Sequence, residues 1–209
     1  MNFLQEKRSG WGFGKNNMKR IFIIHGWGGN SEEPWLKWLK QQLEVNGFET
    51  TNPEMPDTWH PKISEWVGKL DEVVGESDSD TYFVGHSIGC QAIIRYLEQL
   101  PENKKVGGAI FVAGWFNLTD ETWDENYTRE IAYEWIKTPI NFEKIKQHVI
   151  KFMLINSDND PYVPLSDVEL FKTNLGAQVI MLNNMGHIAG DDGVTELPVV
   201  LEALLKMTK

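Results

Sequence analysis

One cysteine, Cys90, in a chain of 209 residues excludes an internal disulfide and fits a reducing, cytoplasmic setting. Positive charge is also scarce. The 20 Lys and Arg residues stand against 30 Asp and Glu, for a formal net charge of −10. That balance argues against a nucleic-acid partner, which calls for clustered Lys and Arg, and against binding to an anionic membrane. No apolar run approaches the roughly 20 residues of a transmembrane helix. The stretch from Met1 to Arg20 has no apolar core of the kind a secretory signal carries. Cofactor signatures are missing too. There is no H-E-x-x-H or paired-histidine motif for a metal. The segment His25-Gly26-Trp27-Gly28-Gly29-Asn30 lacks the G-x-G-x-x-G spacing of a dinucleotide site. No cofactor or metal is expected, and no internal repeat or low-complexity tract is visible.

What is present reads as one α/β domain. Hydrophobic residues make up 41% of the chain, ordinary for a soluble globule, and the length suffices to bury a sizeable core. Residues 1–18 are polar and glycine-rich without period, and are read as an N-terminal extension and a candidate for disorder. Residues 19–209 form the domain. Strands are expected at Arg20 to Ile24, Phe48 to Asn52, Thr81 to Val84, Val106 to Ala113, Phe152 to Asn156 and Gln178 to Leu182. Between them lie helix patterns. One is capped by Ser31, has Pro34 in its first turn and ends at Gly47; others run from Pro61 to Val74, from Cys90 to Leu100, and from Thr195 to Met207 with Thr195 as cap. Strands alternating with helices imply parallel pairing and right-handed crossovers. The expected fold is a three-layer α/β/α sandwich around a mainly parallel six-stranded sheet in the order 2-1-3-4-5-6.

The most informative stretch is Gly85-His86-Ser87-Ile88-Gly89, between the strand ending at Val84 and the helix opening at Cys90. A G-x-S-x-G at a strand-to-helix junction is the pattern of a nucleophile elbow. The tight turn needs glycine on both sides of the serine and lifts its hydroxyl above the sheet. A serine hydroxyl is a poor nucleophile near neutral pH and needs a base, which points to histidine. Five histidines are available. His25 and His86 sit inside the two glycine motifs, His60 precedes Pro61 at a helix start, and His148 closes a polar helix. His187 alone follows a glycine on the loop after the last strand, and it is the candidate base.

That base needs a carboxylate on its other nitrogen. Asp158 and Asp160 both lie on the loop after the fifth strand. Asp158 also reads as a turn residue bonded to its own backbone. Asp160, held rigid by the following Pro161-Tyr162-Val163-Pro164, is preferred. Ser87, Asp160 and His187 then follow the chain order of α/β hydrolases rather than that of chymotrypsin or subtilisin. Backbone N–H groups of Ile88 and Trp27 are the candidate oxyanion donors. Every one of these positions follows a strand end, on the edge where sites in such sheets form.

Residues 115–145 form an insert that reads as a short cap or a crossover helix, with Tyr127, Ile131 and Trp135 on one helical face. His25, Gly26, Trp115 and Phe116 are candidate substrate contacts, and Trp27, Trp59 and Trp123 also lie near the catalytic edge. Cys90, one turn after Ser87, reads as a small buried apolar residue.

The chain resembles the α/β hydrolases of the retinoblastoma-binding-protein/YdeN-like serine hydrolase family. The resemblance rests on Ile23-Ile24-His25-Gly26-Trp27-Gly28-Gly29, Asn52-Pro53-Glu54-Met55-Pro56-Asp57, Val84 to Gly89, Asp158 to Pro164 and Gly186-His187. It extends from about Lys19 to the end of the sequence. It implies Ser87 as nucleophile, His187 as base and, as the aspartate directly before the proline, Asp160 as acid. The eukaryotic namesake's Leu-x-Cys-x-Glu motif is absent here, so its pocket-protein binding does not carry over. The expected activity is hydrolysis of an ester, thioester or amide of a small substrate by a monomer. The competing reading is a noncatalytic interaction module on the same fold.

Overall fold

The computed structural model describes residues 18–123 and 126–209. The expected N-terminal extension, apart from Met18, lies outside the described residues. Six strands form one sheet: β1 (Arg20–Ile24), β2 (Glu49–Thr51), β3 (Thr81–His86), β4 (Gly108–Val112), β5 (Phe152–Ser157) and β6 (Gln178–Leu182). Their order is β2-β1-β3-β4-β5-β6 and every pairing is parallel, as the alternation of strand and helix patterns predicts. Among the described residues seven helices cover it: α1 (Pro34–Val45), α2 (Ile63–Val74), α3 (Ile88–Gln99), α4 (Asn126–Lys137), α5 (Phe142–His148), α6 (Ser166–Leu175) and α7 (Pro198–Met207). None of the described helices is long and apolar enough to cross a membrane.

The two faces of the sheet divide the core by strand parity. Phe22, Ile24, Phe83, Phe111 and Leu154 point to one side and pack with Trp66, Leu70, Ile93, Leu97 and Phe171 from α2, α3 and α6. Ile21, Ile23, Val84, Ile110 and Ile155 point to the other and meet Trp35, Leu39 and Leu43 of α1 and Val200 and Leu204 of α7. The inner strands β1, β3 and β4 are buried on both faces, hence their unbroken apolar runs. Each large aliphatic side chain buried this way contributes about 1.5–3 kcal/mol.

Several element ends differ from the sequence reading, each for a local reason. The first helix is not capped by Ser31, whose hydroxyl and N–H both donate to Glu54; the helix starts at Pro34 after Glu33. The last helix starts at Pro198 rather than Thr195, because Leu197 (φ −136°, ψ 72°) is not yet helical and proline suits the first turn. The fourth strand shortens to Gly108–Val112, with Val106 forming an isolated bridge to Val149.

The 115–145 insert contains a short 3-10 turn (Asp120–Thr122), α4 and the start of α5. It is pinned to the body. The Trp135 indole donates to the Pro61 carbonyl at 2.8 Å, and the Arg95 guanidinium donates to the carbonyls of Trp135 and Thr138 at 2.6 and 3.1 Å. Of the expected apolar stripe on α4, Trp135 is buried and Ile131 half-buried; the Tyr127 side chain lies outside the described residues.

Candidate active site

Ser87 sits between β3 and α3 with φ at 52° and ψ at −120°, a backbone conformation that non-glycine residues rarely hold. Strain of this kind costs about 1–3 kcal/mol and persists where the surroundings fix it. Here the fixing is visible in the two glycines. A Cβ on Gly85 would lie 2.7 Å from the Cys90 nitrogen, and one on Gly89 would lie 2.5 Å from the Ile24 carbonyl oxygen. Helix and sheet approach too closely for any side chain at either place. The sharp turn therefore leaves the Ser87 hydroxyl at the carboxyl edge of the sheet.

The Ser87 Oγ lies 2.9 Å from Nε2 of His187, and Nδ1 of the same ring lies 2.8 Å from Oδ2 of Asp160. The other Asp160 oxygen, Oδ1, accepts from the N–H groups of Tyr162 and Val163 at 2.9 and 3.1 Å. That side chain is only 1% exposed, and its carboxylate is satisfied on both oxygens. Asp158 points elsewhere, and its Oδ1 accepts from the Asn184 N–H at 2.8 Å. Asn159 accepts from the Gly186 N–H at 2.9 Å, and the Ser157 hydroxyl accepts from the Met185 N–H at 2.9 Å. Three consecutive residues, Ser157 to Asn159, thus hold the loop that carries His187. This brace was not foreseen from sequence, although the polar run Ser157-Asp158-Asn159 was the signal for it.

Beside the serine, the N–H groups of Trp27 and Ile88 have no hydrogen-bond acceptor among the described residues, whereas those of Gly28 and Gly29 are committed to Thr58 and Gly26. Ile88 is the first residue of α3, so its N–H has no acceptor within the helix and lies at the positive end of the helix dipole. The Trp115 indole N–H reaches the Ser87 Oγ at 3.4 Å, a polar contact not foreseen from sequence. Its main chain is fixed by Gln91, whose amide donates to the Trp115 carbonyl at 2.6 Å.

These groups open onto a cleft of about 600 Å³ whose aromatic walls are Trp27, Trp59, Trp115 and Tyr162. Of the candidate substrate contacts, Gly26 and Trp115 line it. His25 and Phe116 do not. The His25 ring is buried; its Nδ1 donates to the Gly26 carbonyl, its Nε2 accepts from the Met55 N–H at 3.1 Å, and burial lowers its pKa. It therefore ties the turn after β1 to the loop after β2. Phe116 stacks on Phe171 with ring centres 4.3 Å apart and belongs to the core beneath the cleft. Trp123 lies under the Arg129 guanidinium, 5.3 Å from its ring centre.

His86, the variable residue of the elbow, is buried and held neutral, its pKa pushed down to about 3 mainly by burial. Its Nε2 lies 3.0 Å from the His187 carbonyl and must donate, since a carbonyl only accepts. His86 thus fixes the backbone of the neighbouring histidine. Cys90 is fully buried, its thiol pKa driven up by desolvation, and it has no part in the cleft. Among the described residues, no group of three or more His, Cys, Asp or Glu side chains is arranged to hold a metal.

Comparison with known proteins agrees with this architecture. Residues 21–206 match the family described as serine hydrolase. The chain is 30% identical over 186 residues to the hydrolase YdeN of Bacillus subtilis (strain 168), covering 89% of this chain and 94% of that protein. It is 27% identical over 189 residues to the serine hydrolase RBBP9 of Rattus norvegicus, covering 89% and 95%. The crystal structure of the B. subtilis ydeN gene product superposes with a TM-score of 0.83 at 29% identity, covering 91% of this chain and 98% of that one.

Proposed function

The chain belongs to the serine hydrolase family, and on that premise we propose that it cleaves an ester, thioester or amide bond of a small substrate through an acyl-enzyme on Ser87. The observation that carries this reading is the unbroken hydrogen-bond chain from Ser87 Oγ through His187 to Asp160, at 2.9 and 2.8 Å. Because Asp160 is acceptor-only when ionised, His187 Nδ1 carries the proton and Nε2 presents its lone pair to the serine hydroxyl.

In the first half-reaction His187 Nε2 takes the Ser87 proton as Oγ attacks the carbonyl carbon. The carbonyl oxygen becomes an oxyanion facing the N–H groups of Trp27 and Ile88; one such donor is worth about 10²–10³ in rate. The intermediate collapses, the bond to the leaving group breaks, and the imidazolium returns the proton to that group. In the second half-reaction water loses a proton to His187 and attacks the acyl carbon. Collapse releases the acid, and the proton returns to Ser87. Asp160 stays ionised throughout, holding the ring and stabilising the imidazolium.

The test is turnover of a para-nitrophenyl ester by Ser87→Ala. We expect a loss of several decades in kcat, on the scale of roughly 10⁶-fold seen when a triad serine is removed. Retention of more than about a hundredth of the activity would exclude Ser87 as nucleophile.

A further inference from the structure

One charged group at the wall of this cleft has no partner in the mechanism. Glu33, the residue before α1, lines the cleft together with Ser87 and His187. Its side chain is only 19% exposed. Burial raises its pKa and the neighbouring Asp191 carboxylate adds to the rise, while a hydrogen bond from the Asn30 backbone and the nearby His187 ring oppose it. Among the described residues, no Lys or Arg lines the cleft. Lys37, one turn along α1, pairs with Glu32 instead. The nearest ring nitrogen is His86 Nδ1, 4.0 Å from Glu33 Oε2.

That nitrogen cannot neutralise the carboxylate. His86 spends its one proton on the His187 carbonyl through Nε2, so Nδ1 offers a lone pair. The His86 side chain is 4% exposed, and Nδ1 is a buried polar atom without a hydrogen-bond partner. Two acceptors therefore face one another, with a third, Asp191, on the same cleft. The fold half-buries this carboxylate, and among the described residues it brings no Lys or Arg to the cleft to pair with it. A half-buried titratable group in a cleft, without a Lys or Arg partner among the described residues, is a mark of a functional group. The missing complement is a donor with positive charge. The other lining residues suit the same ligand, because Trp27, Trp59 and Tyr162 also line the cleft and aromatic rings attract cations.

We propose that Glu33, assisted by Asp191, forms a subsite for a cationic nitrogen, so that the preferred substrates carry an ammonium-type group on the acyl or leaving-group side of the scissile bond. The inference rests on the cleft being the hydrolytic site. Carboxylate and aromatic faces divide the labour: the charge sets preference and on-rate, and the rings exclude water around the cation.

The experiment compares isosteric esters that differ only in charge. On the acyl side these are the para-nitrophenyl ester of trimethylammoniobutanoic acid and the analogue whose nitrogen is replaced by a quaternary carbon. On the leaving-group side they are acetylthiocholine and its dimethylbutyl thioester isostere. The readout is the ratio of kcat/KM, cationic over neutral, within each pair. In the native protein the ratio should exceed about tenfold for one pair and shrink as salt is raised. In Glu33→Gln it should collapse to within about threefold. Asp191→Asn, at an exposed position, should lower it by a smaller factor, which keeps the idea testable if Glu33→Gln unfolds. A ratio near one in the native protein for both pairs, or one untouched by both substitutions, would overturn the proposal. A native protein that turns over the neutral esters, with loss in Ser87→Ala, but shows no charge preference refutes the subsite alone. Failure to hydrolyse any of the four esters would remove the hydrolytic reading and the subsite with it.

Discussion

Replacing Asp160 by Asn changes one atom and should disable the site while sparing the fold. The present Oδ1 accepts from the N–H groups of Tyr162 and Val163, and Oδ2 faces His187 Nδ1. An asparagine keeps its carbonyl oxygen on the two backbone donors and turns its amide N–H₂ toward His187. The ring must then place its lone pair on Nδ1 and its proton on Nε2, where it cannot take the Ser87 proton. The alternative rotamer aims the amide N–H₂ at two N–H groups in a pocket where the side chain is 1% exposed. Leaving two buried donors unpaired costs about 2–6 kcal/mol. A wrong tautomer in a serine triad costs about 10⁴ in kcat, or about 5.4 kcal/mol. The two penalties are comparable, so neither rotamer restores activity. Asp158→Asn is the control: its carbonyl oxygen still accepts from Asn184, and kcat/KM should stay within about threefold. The assay is steady-state hydrolysis of a para-nitrophenyl ester, with thermal melting to verify folding. Asp160→Asn retaining more than about a tenth of the native kcat, or Asp158→Asn proving the more damaging, would refute the reasoning.

Three further outcomes follow from the same geometry. Gly89→Ala should destabilise the protein by about 1–3 kcal/mol or more, because its Cβ would lie 2.5 and 2.6 Å from the carbonyl oxygens of Ile24 and His25; an unchanged urea midpoint would count against the elbow packing. Acid should destabilise the native state through His86, whose pKa is about 3 when folded against an ordinary value of 6.5. The unfolded chain binds more protons between those values, so this stability is complete above about pH 6.5 and falls as pH drops toward 3, by about 2 kcal/mol at pH 5. Urea unfolding at pH 7 and 5 measures it, and equal stability at both would contradict it. Cys90, buried with its thiol pKa raised, should resist iodoacetamide in the native state and react on unfolding; rapid native labelling would show that the elbow helix opens.

The sheet order, and the gathering of Ser87, Asp160 and His187 at one sheet edge, were legible because each depends on a local, repeated signal. Doubly buried strands such as Gly108–Val112 are apolar without alternation, and the elbow glycines are imposed by backbone contacts at 2.5–2.7 Å. The choice of Asp160 over Asp158 followed from Pro161, which fixes the chain beside it. Helix starts were less legible because Ser31 is a good cap by type, but its hydroxyl has a competing acceptor in Glu54 that is distant in sequence. The same limit applies to His25, whose ring bonds the Met55 N–H, and to Phe116, which stacks on Phe171. Residue type places an aromatic near an edge; only packing decides whether it faces the cleft or the core. Glu33 carries no sequence signal, since only packing places it on the wall of the cleft.

The central claim is that Ser87 becomes acylated. Its most direct test is peptide mass mapping after brief reaction with a slowly deacylating ester, quenched in acid. The account predicts one acyl group per chain, on the peptide containing Ser87, absent in Ser87→Ala and formed far more slowly in Asp160→Asn. An acyl group on another residue, or turnover with no adduct on Ser87 under conditions where deacylation limits the rate, would contradict it.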